Sequence, residues 1–101
     1  MKKKITMLQN NELKKLKPKI IKVLKSRGIK KAGIFGSFVK GQQKENSDID
    51  ILIDFKGGLL SFVSIERELE EKIGKKVDLL TYNGLHPLLK KSILSEEVRI
   101  I

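Results

Sequence analysis

The chain has 101 residues, 40% of them hydrophobic, with 22 basic against 12 acidic side chains and a net charge of +10, which fits one folded domain and excludes disorder as its overall state. Cysteine is absent, which excludes disulfides and thiolate metal sites and suits a reducing cytoplasm. The basic tip Met1 to Lys4 leads into Ile5-Thr6-Met7-Leu8 and then polar residues, with no apolar run long enough for a signal peptide or a membrane span, so a soluble cytoplasmic protein is expected.

Leu13, Leu16, Ile20, Val23 and Leu24 recur at three- and four-residue steps and predict an amphipathic helix from about Asn11 to Arg27, stopped by Gly28. Pro18 predicts that the well-formed part begins near Lys17, with the proline in the first helical position. Lysines crowd Lys14 to Lys31, as they do Lys2 to Lys4 and Lys90-Lys91. They read first as solvated surface and second as a face for a polyanion, so nucleic acid is allowed but not required.

Ala32-Gly33-Ile34-Phe35 predicts a buried strand that ends at Gly36-Ser37. From Asp48 to Phe55, alternation sends Ile49, Ile51, Ile53 and Phe55 towards a core and Asp48, Asp50, Leu52 and Asp54 the other way. Gly57-Gly58 marks a turn, after which Phe62, Ile65, Leu69 and Ile73 follow a helical period up to Gly74 as a C-cap. Val77-Asp78-Leu79-Leu80 predicts a third strand, Pro87 to Leu94 a short helix and Val98 to Ile101 a terminal strand. With neither repeat nor linker, one α/β domain over residues 1–101 is the economical reading.

The segment Gly36 to Asp50 reads Gly-Ser, ten residues, Asp-Ile-Asp. Carboxylates at i and i+2 of a strand project to one side, roughly 7 Å apart at their Cα atoms, and both can reach one divalent cation or a close pair. Without a cation the two charges repel and raise a pKa. Gly36 lets the backbone approach a ligand, and Ser37 offers a hydroxyl and a helix start whose N–H groups favour an anion. Phosphate and metal would then meet in one cleft. Singly these features are common turns and caps; together with Asp78 inside a later apolar strand they point to phosphoryl chemistry.

Ile34-Phe35-Gly36-Ser37, Gly41, Ser47-Asp48-Ile49-Asp50-Ile51 and Val77-Asp78-Leu79 resemble the signature of the polymerase-beta-like nucleotidyltransferase superfamily, and within it the minimal nucleotidyltransferase (MNT) group. The resemblance covers about residues 30–81 by motif, and the leading helix and Leu85-His86-Pro87 extend it. It implies an α+β nucleotidyltransferase fold, a small mixed β-sheet flanked by helices. It also implies Asp48, Asp50 and Asp78 as catalytic metal ligands and Gly36, Ser37 and Lys40 as nucleotide-binding residues. Magnesium, two ions with manganese as a substitute, would be the cofactor and ATP the substrate. The group supplies antitoxins that transfer AMP to a tyrosine of a HEPN-type ribonuclease toxin. Where relatives often carry Gly-Ser-Arg-x-Arg-Gly, this chain has Gly-Ser-Phe-Val-Lys-Gly. Phe38 brings no charge, and Lys40 lacks the bidentate fork of arginine.

Two alternatives accompany that reading: a binding module that neutralises its partner by contact alone, and transfer to RNA or a small molecule with help from a second subunit. Asp54 lies roughly 14 Å along the strand from Asp50, too far for the same metal, and reads as a loop residue. His86, before Pro87, suits a helix entrance. Tyr82 reads as a half-buried residue at a strand end, with stacking on a base as the lesser option.

Overall fold

A computed structural model describes residues 11–101, so the basic tip and Ile5 to Leu8 lie outside the described residues. Helix α1 (Asn11–Ser26) leads into strand β1 (Ala32–Phe35), the short helix α2 (Ser37–Lys40) and strand β2 (Ile49–Ile53). Helix α3 (Leu59–Ile73), strand β3 (Val77–Thr81), helix α4 (Pro87–Glu96) and strand β4 (Val98–Arg99) follow. The sheet order is β3-β2-β1-β4; β1 runs antiparallel to β2 and β4, and β2 runs parallel to β3. The parallel pair needs a crossover, and α3 supplies it. The expected mixed sheet flanked by helices is what forms.

The apolar stripe of α1 buries Leu13, Leu16, Ile20, Val23 and Leu24 against Ile34, Ile49, Ile51 and Ile53 of the sheet and Ile65, Leu69 and Ile73 of α3. At about 1.5–3 kcal/mol for each fully buried aliphatic side chain, this face holds the fold together. It also overrides Pro18. The helix runs unbroken from Asn11, and Pro18 sits seven residues inside it on the exposed side rather than at its first position. The buried Leu13 and Leu16 precede the proline, and docking them outweighs the lost bond to the carbonyl of Lys14.

Two strand predictions also change. The second strand spans Ile49–Ile53, leaving Asp48 and Phe55 just outside the ladder, and the terminal strand is two residues long. Leu52, expected on the open face with the carboxylates, is fully buried. Phe35 and Leu85 pack with it, and Leu80, Tyr82 and Ile93 of α4 border this second small core. The carboxylate face is therefore open only at one end.

Gly74 caps α3 as expected. His86 caps α4 by accepting the Leu88 N–H on Nδ1 at 3.1 Å, with Pro87 in the first turn. Asp54 lies in the loop after β2 and is exposed.

Candidate active site

Register brings candidate site residues together. Phe35 of β1 stands opposite Asp50 of β2, and Asp50 stands opposite Asp78 of β3. Neighbouring strands lie about 4.8 Å apart, so the two carboxylates sit side by side on one face of the sheet. Asp48, just before β2 on the same parity, is exposed at the rim. The tightest pair is thus Asp50 with Asp78, from two strands, rather than the Asp48 and Asp50 that sequence spacing puts together.

Electrostatics follow from this arrangement. The Asp50 carboxyl is raised to about 6, with burial the largest cause. The neighbouring Asp78 charge and its hydrogen bond add to the shift, with a smaller push from Asp48. Asp50 is the half-buried member and Asp78 and Asp48 are exposed, so the cost of ionising the cluster concentrates on Asp50.

Gly36 follows Phe35 and is therefore next to Asp50. Its φ of 79° with ψ of −151° falls in a region essentially confined to glycine. A Cβ at Gly36 would meet Asp50 Oδ2 at 2.0 Å. Ser37 opens α2, whose far end is closed by Gly41, also left-handed at φ 71° and donating its N–H to the Ser37 carbonyl. Gly-Ser and the later glycine thus enclose one tight turn over Asp50. Within it, Phe38 is fully buried in the main core, which accounts for an apolar residue at this position. Lys40 points to α4, where its Nζ lies 2.9 Å from Glu96 Oε2.

Sequence reasoning did not single out Lys75, which positions the loop leading to Asp48. Its side chain is 13% exposed. Its Nζ donates to the Glu45 carbonyl at 3.1 Å, lies 3.3 Å from Glu12 of α1 and sits 5.6 Å from the centre of the Phe38 ring. Ser47 closes the same loop, its Oγ accepting the Lys44 N–H at 2.7 Å. Lysine before a strand reads as ordinary surface in a chain so rich in it, so no sequence signal marks Lys75.

Tyr82 is half-buried at the end of β3, as expected. Its hydroxyl bonds to Glu97, Lys31 Nζ lies 4.3 Å from its ring centre, and burial, then Glu97, pushes its pKa upward.

Among the described residues, no three His, Cys, Asp or Glu side chains, Asp48, Asp50 and Asp78 included, are grouped closely enough to hold a metal ion by themselves. An all-protein cage is not what magnesium needs: it takes one or two carboxylates and completes its shell with water and substrate phosphate. The hard oxygen donors of Asp50 and Asp78, crowded enough to raise a pKa, fit such a cation, and the Gly36 turn leaves backbone room beside them.

Comparison with known proteins supports the fold and places the family. A Methanocaldococcus jannaschii protein named "Putative protein adenylyltransferase" is 52% identical over 91 residues, covering 88% of this chain and 98% of that one. The "Protein adenylyltransferase MntA" of Thermococcus cleftensis is 37% identical over 99 residues, covering 95% of this chain and all of that one. Among solved structures, a toxin–antitoxin with AMP-PNP superposes with a TM-score of 0.76 at 24% identity, over 84% of this chain and 72% of the matched one, a likeness in fold. Residues 18–101 match the family model described as "Polymerase beta, Nucleotidyltransferase", and the chain belongs to that nucleotidyltransferase family.

Proposed function

We propose that the chain is a protein adenylyltransferase acting as an antitoxin. It would transfer AMP from MgATP to a hydroxyl, a tyrosine by its resemblance to the MNT group, of a HEPN-type toxin and so neutralise it. The observation that carries this reading is the Asp50–Asp78 register beside the Gly36 turn. It is supported by relatives named as protein adenylyltransferases over nearly their whole length. The same reading makes residues 1–101 one nucleotidyltransferase domain working in the cytoplasm. No helix among the described residues is long and apolar enough to cross a membrane.

Asp48, Asp50 and Asp78 would hold two magnesium ions, or manganese in their place, which when bound offset phosphate charge and polarise the transferred group. Gly36 admits the triphosphate against the sheet end, and the Ser37 hydroxyl donates to a phosphate oxygen. Lys40 exchanges Glu96 for phosphate. The acceptor hydroxyl attacks the α-phosphorus in line, the bond to the bridging oxygen breaks and pyrophosphate leaves. Asp78, the more exposed of the paired carboxylates, faces the incoming hydroxyl and takes its proton.

A second reading, neutralisation by contact with a weak or inactive site, is favoured by the buried Phe38 and by the engagement of Lys40 with Glu96. Intact-mass measurement separates the two. A cognate toxin incubated with the chain, ATP and magnesium should gain whole adenylyl groups, and should gain none with Asp50→Asn. A toxin silenced at unchanged mass would establish the contact mechanism instead.

A further inference from the structure

Half of the chain's net charge of +10 sits on α1, which carries six lysines against the single acid Glu12. The helix packs its apolar stripe on the face of the sheet that carries Ile49, Ile51 and Ile53, opposite the carboxylates. With that stripe buried, Lys14, Lys15, Lys19, Lys22 and Lys25 are all exposed. At 100° per residue they fall within one arc of about 140°, running roughly 16 Å along the helix. Among the described residues none of the five has an ion pair, whereas Glu12 is held by Lys75.

A groove of about 400 Å³ runs between α1 and α3, lined by Lys19, Lys22 and Ser26 from one side and Lys72 and Glu68 from the other. The one acid in it is already taken, its Oε1 2.7 Å from Arg27 Nε. Three lysines therefore face the groove without a counter-charge from within it.

We infer that this face of α1, with the α1–α3 groove, binds the phosphate backbone of a nucleic acid, separately from the nucleotide site. One strand of a duplex presents a charge about every 3.4 Å of axis, so the lysine row spans about four to five phosphates. Lysine acts on phosphate as a point charge, and this face carries no aromatic side chain for base stacking. Recognition is therefore of backbone, without sequence preference. A lipid surface is disfavoured because the helix has no apolar side left to insert, its leucines being buried under it.

The test is fluorescence anisotropy of a short labelled DNA duplex with the full chain, between about 50 and 200 mM salt. Lys15→Gln/Lys19→Gln/Lys22→Gln should weaken binding at least tenfold and flatten the slope of log affinity against log salt by about 2 to 3. The charge-reversed Lys→Glu triple at the same positions should abolish binding, with circular dichroism confirming the fold of both. Asp50→Asn should bind the duplex as the parent does, which keeps this result independent of the adenylyltransferase reading. Retained affinity and slope in a folded Gln triple would overturn the inference. Equal affinity for polyglutamate would overturn it in favour of an acidic protein, and equal affinity for anionic vesicles in favour of a membrane surface.

Discussion

Asp50 and Asp78 are direct partners in the parallel register of β2 and β3, two like charges from strands separated by a helix, held side by side at the end of a sheet. Two carboxylates so placed resist ionising together, and Asp50, the more buried, shifts to about 6. The site is thereby organised around a charge that a cation can compensate.

Removing that charge should stabilise the metal-free protein. The folded state holds the Asp50 proton more tightly than the unfolded chain, so this group's stabilising contribution is complete below about pH 4 and is lost as pH rises through about 6. Asp50→Asn should therefore raise unfolding stability at pH 7 to 8 by about 1 kcal/mol once solvent screening of a half-exposed group is allowed for, and Tm with it. The gain should vanish near pH 4. Thermal melts of both proteins across that range with chelator present check it; a gain independent of pH would deny the coupling.

Gly36→Ala should cost about 1–3 kcal/mol from backbone conformation alone, because its φ and ψ are essentially confined to glycine. The new methyl must also displace the Asp50 carboxylate. Both stability and MgATP affinity are expected to fall. A variant that melts and binds nucleotide as the parent does would show that the turn relaxes freely.

Asp78→Asn separates roles within the site. A group acting on the attacking hydroxyl matters chiefly in the transition state, so nucleotide affinity by calorimetry should persist while AMP transfer collapses. Asp48→Asn should instead weaken MgATP binding and transfer together. In the parent, MgATP at a hundredfold excess over its dissociation constant should add roughly 2.7 kcal/mol of stability. Asp78→Asn transferring at the parent rate would make that residue structural.

Lys75→Met keeps the side-chain stem and deletes the charge that ties the Glu45 carbonyl and Glu12 together. Hydrogen exchange over residues 42–47 should speed up. MgATP affinity should fall severalfold because the approach to Asp48 loosens, while unfolding stability changes by no more than about 1 kcal/mol. Unchanged exchange in that segment would assign the loop's order to Ser47 alone.

Local pattern was enough for the elements and for most of the site. The periodic leucines and isoleucines of α1 and α3, the alternation after Asp48 and the Gly-Ser turn are each short-range signals. Side-chain period and backbone permissiveness are properties of a few neighbouring residues, so they survive in the sequence. Where local preference and packing disagreed, packing prevailed: Pro18 is carried inside α1 because Leu13 and Leu16 are buried ahead of it. Leu52, read as open by alternation, is covered by Leu85 and bordered by Ile93, which arrive from the far end of the chain. Only the tertiary structure decided that Asp50 pairs most closely with Asp78, that Gly36 lies against Asp50, that Phe38 is core and that Lys75 anchors the loop before Asp48. Each of these depends on strand register or on a contact between distant segments. Such distances are set by how sheet and helices pack, and no spacing along the chain encodes them.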